Sequence, residues 1–147
     1  MYYKMEKSVR KIAVSSYSMD PGPRYVRQGA DSGEDYYHKI LNQAFYQAVK
    51  NNSILEVNLD GTDGYASSFL DESFGNLVFD FSLDLVKENL RIIFDEEPEL
   101  KKMIEDETFI EWGKRRKNKD KPKITAPHED WYRYDGKDYI KKKWIEL

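Results

Sequence analysis

Apolar residues recur with a period of two in some stretches of the chain and a period near 3.6 in others, and the alternation between the two regimes defines the elements. Residues 8–14 alternate Val9, Lys11 and Ala13 with Arg10 and Ile12, which predicts a first strand. The segment from Ser15 to Ser32 holds Pro21-Gly22-Pro23 and Gly29 and reads as loop, broken only by a short strand at Arg24–Arg27. Ser32 then stands where a helix cap is needed, with Asp35 as a capping-box acid. Apolar residues at 36/37, 40, 41, 44, 45 and 48 predict a helix from Gly33 to Lys50. In residues 54–59, Leu55, Val57 and Leu59 share one face of a strand while Glu56 and Asn58 take the other.

After the turn Asp60-Gly61-Thr62-Asp63-Gly64, Leu70, Phe74, Leu77, Val78 and Phe81 form one helical stripe that starts near Ser67 and Ser68. Ser82 caps a short helical turn, residues 90–94 predict a further strand, and Pro98 opens a helix carrying Leu100, Met103 and Ile104. Strand, helix, strand, helix, strand, helix in this order predicts an α/β fold with parallel strands. The polar second face of the middle strand places the helices mainly on one side. The middle strand should be central, because helices flank it in sequence.

Charge changes this picture at one place. Residues 1–113 carry 12 Lys/Arg against 21 Asp/Glu, whereas residues 114–147 carry 12 against 6. The division expected is a domain over 1–113, a basic linker over 114–127 and an aromatic β-hairpin extension over 128–147. In the last, Asp135-Gly136 is a two-residue turn that sets Tyr132 opposite Tyr139, Arg133 opposite Asp138 and Trp131 opposite Ile140. Such a hairpin is marginal alone, so it must dock on its own domain or on a second copy of the chain.

Composition narrows the chemistry. The absence of cysteine excludes disulfides, thiol catalysis and Cys-ligated zinc, and two histidines, His38 and His128, 90 positions apart leave little for a metal site. No cofactor is expected. The chain starts without a secretory h-region and has no run long enough to span a bilayer, so a cytoplasmic, non-membrane protein is expected. No set of nucleophile, base and orienter stands out. Asn58-Leu59-Asp60-Gly61-Thr62 copies a phosphatase motif with an amide at the nucleophile position, and an amide cannot form an aspartyl phosphate. The same turn lacks the ligand spacing of a calcium loop.

Three stretches carry a resemblance: Gly22-Pro23-Arg24, Ser32-Gly33-Glu34, and Val57-Asn58-Leu59-Asp60-Gly61 followed by Ser67-Ser68-Phe69-Leu70-Asp71-Glu72-Ser73-Phe74-Gly75. Over about residues 8–105 the chain resembles the STAS-like family of unknown function, bacterial and phage proteins distantly similar to anti-sigma-factor antagonists. The resemblance implies a four-stranded mixed sheet with helices on one face, no catalysis, and a protein partner such as a histidine-kinase-fold ATPase or kinase. In the antagonists a serine or threonine in an Asp-Ser-Ser-Gly or Asp-Ser-Thr-Gly loop is phosphorylated. That loop falls here at Ala66-Ser67-Ser68-Phe69, which makes Ser68 and Ser67 the candidate phosphoacceptors.

Ser68 has a second expected role as helix N-cap, and a phosphate there would gain from the helix N-terminus but meet Asp60, Asp63, Asp71 and Glu72. The expected activity is regulatory, by protein-protein interaction, with Asp60, Gly61, Ser67, Ser68, Asp71 and Glu72 forming the partner surface. Asp71 and Glu72 should lie on the polar side of their helix. Arg24 is a candidate anion contact. The competing reading is a nucleic-acid-contacting protein that uses the basic, aromatic C-terminal segment.

Overall fold

The computed structural model describes residues 7–147, so the first six residues of the expected 1–113 domain lie outside it. Three strands, β1 (Ser8–Ala13), β2 (Ser53–Asn58) and β3 (Leu90–Ile93), form a parallel sheet in the order β1-β2-β3. The middle strand is central, as the flanking helices require. Among the described residues the sheet has no fourth, antiparallel strand of the kind the family resemblance implies. Leu55, Val57 and Leu59 are buried. On the opposite face Glu56 lies between Lys11 at 4.0 Å and Arg91 at 3.3 Å, exposed pairs that add little stability.

Helix α1 covers residues 33–50 and is interrupted by a π-helical turn over Tyr37–Leu41. Ser32 caps it, accepting the Asp35 amide at 3.0 Å. The capping box does not close, because the Asp35 carboxylate takes the Tyr17 hydroxyl and lies 3.5 Å from Lys39 instead. The expected strand at Arg24–Arg27 is replaced by a 3-10 turn, Val26–Gln28. Its donors are spent elsewhere: the Val26 amide goes to Glu34 Oε1 and the Arg27 amide to Thr125 Oγ1. A strand there would leave Glu34 without that donor.

Helix α2 (Ser67–Phe81) buries the expected stripe of Leu70, Phe74, Leu77, Val78 and Phe81. It also buries Glu72, Ser73, Asn76 and Asp80, so every residue from Phe69 to Phe81 except Asp71 is buried. Internal partners make this tolerable: Ser73 Oγ donates to the Phe69 carbonyl at 2.8 Å, and Asn76 Nδ2 donates to the carbonyl and the carboxylate of Glu72. Gly75 permits the enclosure, since a Cβ there would overlap the Trp112 indole. Ser82 caps α3 (Leu83–Asn89), and α4 covers residues 98–118 with a π-helical turn at Ile104–Thr108.

The expected boundary at 113/114 falls inside α4. Lys114 to Asn118 are its last turn, and Lys119, with φ of 59°, ends it. The chain beyond is a strap rather than a free linker: Ile124 is buried, Lys123 stands over the Tyr25 ring, and Thr125 bonds Glu34. Strands β4 (Trp131–Tyr134) and β5 (Tyr139–Lys142) form the expected hairpin, in a register two residues from that predicted. Tyr134 faces Tyr139, Arg133 faces Ile140 and Trp131 faces Lys142. The turn spans four residues because Asp135 Oδ1 accepts both the Lys137 and Asp138 amides, an Asx-type closure that outcompetes the two-residue turn. The hairpin docks on its own domain through Tyr132, which stacks on Tyr46 at 3.6 Å and 5°.

Candidate functional site

The loops that follow β2 and β3 are tied to each other. Asp60 accepts the amides of Asp95 at 3.1 Å and Glu96 at 2.9 Å, and the Glu96 carboxylate in turn accepts the Gly61 amide. Asn58 Oδ1 takes the Asp60 amide and Tyr65 donates to the Leu59 carbonyl, which fixes both ends of the turn. A Cβ at Gly61 would meet open space, but its φ of 87° is a conformation that suits glycine. The two loops frame a concavity of about 120 Å³ floored by Leu59, Tyr65 and Phe94 and rimmed by Thr62, Asp63 and Glu96. Burial, with Asp60 and Glu96 nearby, raises the Tyr65 hydroxyl to a pKa of about 12. Beside this rim the Asp63 amide donates to the carbonyl of Met19, whose side chain is 52% exposed.

Ser67 and Ser68 form the first turn of α2, but neither caps it. The cap residue is Ala66, without a side-chain bond, so the capping role expected of Ser68 is absent. Ser67 is exposed and Ser68 half-buried.

Asp71 and Glu72 depart further from expectation. Instead of lying on a solvated face, both turn inward to Arg24, whose Nη1 reaches Asp71 Oδ2 at 2.7 Å and Glu72 Oε1 at 3.1 Å. The anion contacted by Arg24 is thus internal. Asp71 Oδ1 also accepts Thr108 Oγ1 and Trp112 Nε1. Glu72 is 2% exposed; burial raises its pKa against the pull of Asn76 and Arg24. The three motifs therefore meet in one place. The Gly33 and Glu34 amides donate to the carbonyls of Pro23 and Arg24, Arg24 holds Asp71 and Glu72, and a Cβ at Gly33 would overlap the Phe69 carbonyl.

Glu34 anchors the C-terminal strap. Its buried carboxylate accepts the amides of Val26 and Thr125, Thr125 Oγ1 at 2.6 Å and His128 Nε2 at 2.6 Å. Burial alone would raise its pKa, but these donors, led by His128, hold it at about 2. His128 stacks on His38 with centroids 3.9 Å apart, and Trp131 meets His38 edge-on. Burial, then His128, pushes His38 down to about 3. In the sequence these histidines stand 90 positions apart. One signal was available, since Glu34 and His38 are four residues apart on one helix face; nothing local pointed to His128.

A third network lies deeper. Asp80, 1% exposed, accepts the Tyr37 hydroxyl at 2.5 Å and Arg133 Nε at 2.7 Å, while Asn42 bridges the Tyr37 hydroxyl and the backbone of Tyr132. Among the described residues no cluster of three or more His, Asp or Glu is placed to hold a metal ion, and no helix is long and apolar enough to cross a membrane.

No curated protein and no solved structure matches the chain. A family model does, over a segment that begins at the Ser32 cap, includes β2, α2 and β3, and stops at the start of α4. Residues 32–99 match the model of the STAS-like domain family of unknown function (DUF4325).

Proposed function

We propose that the protein is a non-enzymatic regulatory module that binds another protein through the loops after β2 and β3 and the first turn of α2. The observation that carries this reading is the reciprocal latch between Asp60 and Glu96, which holds an exposed loop surface in one shape without covering it. A preformed surface binds with little ordering cost. The residues it presents are Gly61, Asp63 and Ser67, with Met19 as an apolar anchor among acids. Asp71 and Glu72 are engaged by Arg24 and are not counted in this surface.

The acidic rim fits a partner with a basic face, and the family resemblance brings a histidine-kinase-fold ATPase or kinase as its class. Ser67 and Ser68 are the candidate phosphoacceptors, and exposure favours Ser67. A phosphate on Ser67 would add two negative charges to a rim that already holds Asp63 and Glu96, so it would alter the very complementarity that binding uses. The competing nucleic-acid reading is less well supported, because the aromatic faces it needs are occupied: Tyr132 by Tyr46, Trp131 by His38, Trp144 by Arg133. The test is intact mass and peptide mapping of protein purified from its own host. A phosphorylated fraction at Ser67 supports the switch. A chain unmodified at both serines under all growth conditions removes the switch and leaves binding alone.

A further inference from the structure

Between the end of α4 and the hairpin lies a pocket of about 330 Å³ that lies almost wholly outside residues 32–99, of which only Phe79 contributes. Phe79 and Tyr134 form its apolar floor, and Arg116, Lys119, Lys121 and Arg133 supply four cations. The two arginines are held rigidly. Arg116 donates to the carbonyls of Phe79 and Tyr134, and Arg133 donates to Asp80 while lying over the Phe79 and Trp144 rings.

The charge within this group is not balanced. Against four cations stand Asp80, already shared by Arg133 and Tyr37, and Asp135, whose Oδ1 closes the hairpin turn. Arg133 Nη2 is buried without a hydrogen-bond partner. A buried donor and surplus positive charge beside an apolar floor are costly unless an anion offsets them.

Lys119 adds an independent observation. It ends α4 in the left-handed region, φ 59° and ψ 34°, the position where helices most often place glycine. A lysine there is strained, and the strain places its side chain in the wall of the pocket.

We propose that this pocket binds a phosphate monoester with a flat or apolar body, the phosphate against Lys119 and Lys121 and the body on Phe79 and Tyr134. The size and lining suit a small ligand of mononucleotide dimensions. The site does not depend on the protein-binding surface, which lies on other loops.

Calorimetric titration of the full chain with AMP, phenyl phosphate, inorganic phosphate and adenosine tests the proposal. AMP or phenyl phosphate should bind, the tighter of the two naming the body; inorganic phosphate should bind more weakly and adenosine not at all. Lys119→Gly should weaken binding at least tenfold while raising Tm, because it removes the charge and the backbone strain together. Lys121→Ala should weaken binding with Tm unchanged. No binding of either ester at millimolar concentration, or equal binding by both variants, overturns the site. So does binding of single-stranded oligonucleotide without binding of either ester, which would make the surface a nucleic-acid contact.

Discussion

Arg133 on the hairpin donates its Nε to Asp80, fully enclosed at the C-terminal end of α2, at 2.7 Å. The two are 53 residues apart, and the pair makes the C-terminal segment part of the core rather than an appendage. Breaking a buried pair from one side costs about 3 to 5 kcal/mol, because the other charge stays buried. Arg133→Met should therefore destabilise the chain by that amount in urea unfolding, and Asp80→Leu combined with Arg133→Met should recover part of the loss. Deleting residues 119–147 should abolish cooperative unfolding. The deletion would leave the buried Glu34 and Asp80 carboxylates without Thr125, His128 and Arg133.

Gly75→Ala is expected to cost about 1 to 3 kcal/mol, the usual effect of overpacking, because the added methyl meets the Trp112 ring. Thermal unfolding of this variant should show a clear drop in Tm, and Trp112→Leu in the same chain should relieve part of it.

The two serine positions that open helices should behave differently. Ser32 caps α1 with its side chain, so Ser32→Ala should lose about 0.5 to 2 kcal/mol. Ser68 bonds no backbone amide, so Ser68→Ala should change stability by less than about 0.5 kcal/mol. Chemical denaturation of the two variants side by side measures the contrast.

Stability should fall in acid. His38 has a pKa of about 3 in the fold against an ordinary 6.5, so the unfolded chain takes up the proton first. The His38 contribution is full above pH 6.5 and is lost as pH falls toward 3, by at most about 1.4 kcal/mol per pH unit for one proton. Glu34 acts in the same direction lower down: its pKa of about 2 against 4.5 makes its contribution present above 4.5 and lost toward 2. His38→Gln should flatten the stability profile between pH 6.5 and 4.5 while leaving the Glu34 limb below it.

The parts of the fold that were legible are those set by local periodicity. Alternation of Leu55, Val57 and Leu59 located β2, and its helical neighbours made it central and parallel. Helix α2 shows where periodicity ends. Asp71 and Glu72 read as a polar side, yet Glu72 and, two turns on, Asp80 are buried against Arg24 and Arg133, which arrive from 48 and 53 residues away. A polar stripe satisfied by distant side chains has the same period as one satisfied by water. The hairpin was legible in kind but not in register, since its turn is decided by which amides the Asp135 carboxylate takes. Of the residues expected to form a surface, Asp60 and Gly61 are tied to the loop after β3 and Ser67 is exposed, whereas Asp71 and Glu72 bond Arg24.

Affinity capture from the host's own lysate, after nuclease treatment, tests the central claim most directly. The bait is the wild-type chain compared with an Asp63→Lys, Ser67→Glu double variant of equal Tm. The proposed surface predicts that a discrete protein is retained by the wild type and lost from the variant. Equal retention by both, or retention only before nuclease, would contradict it.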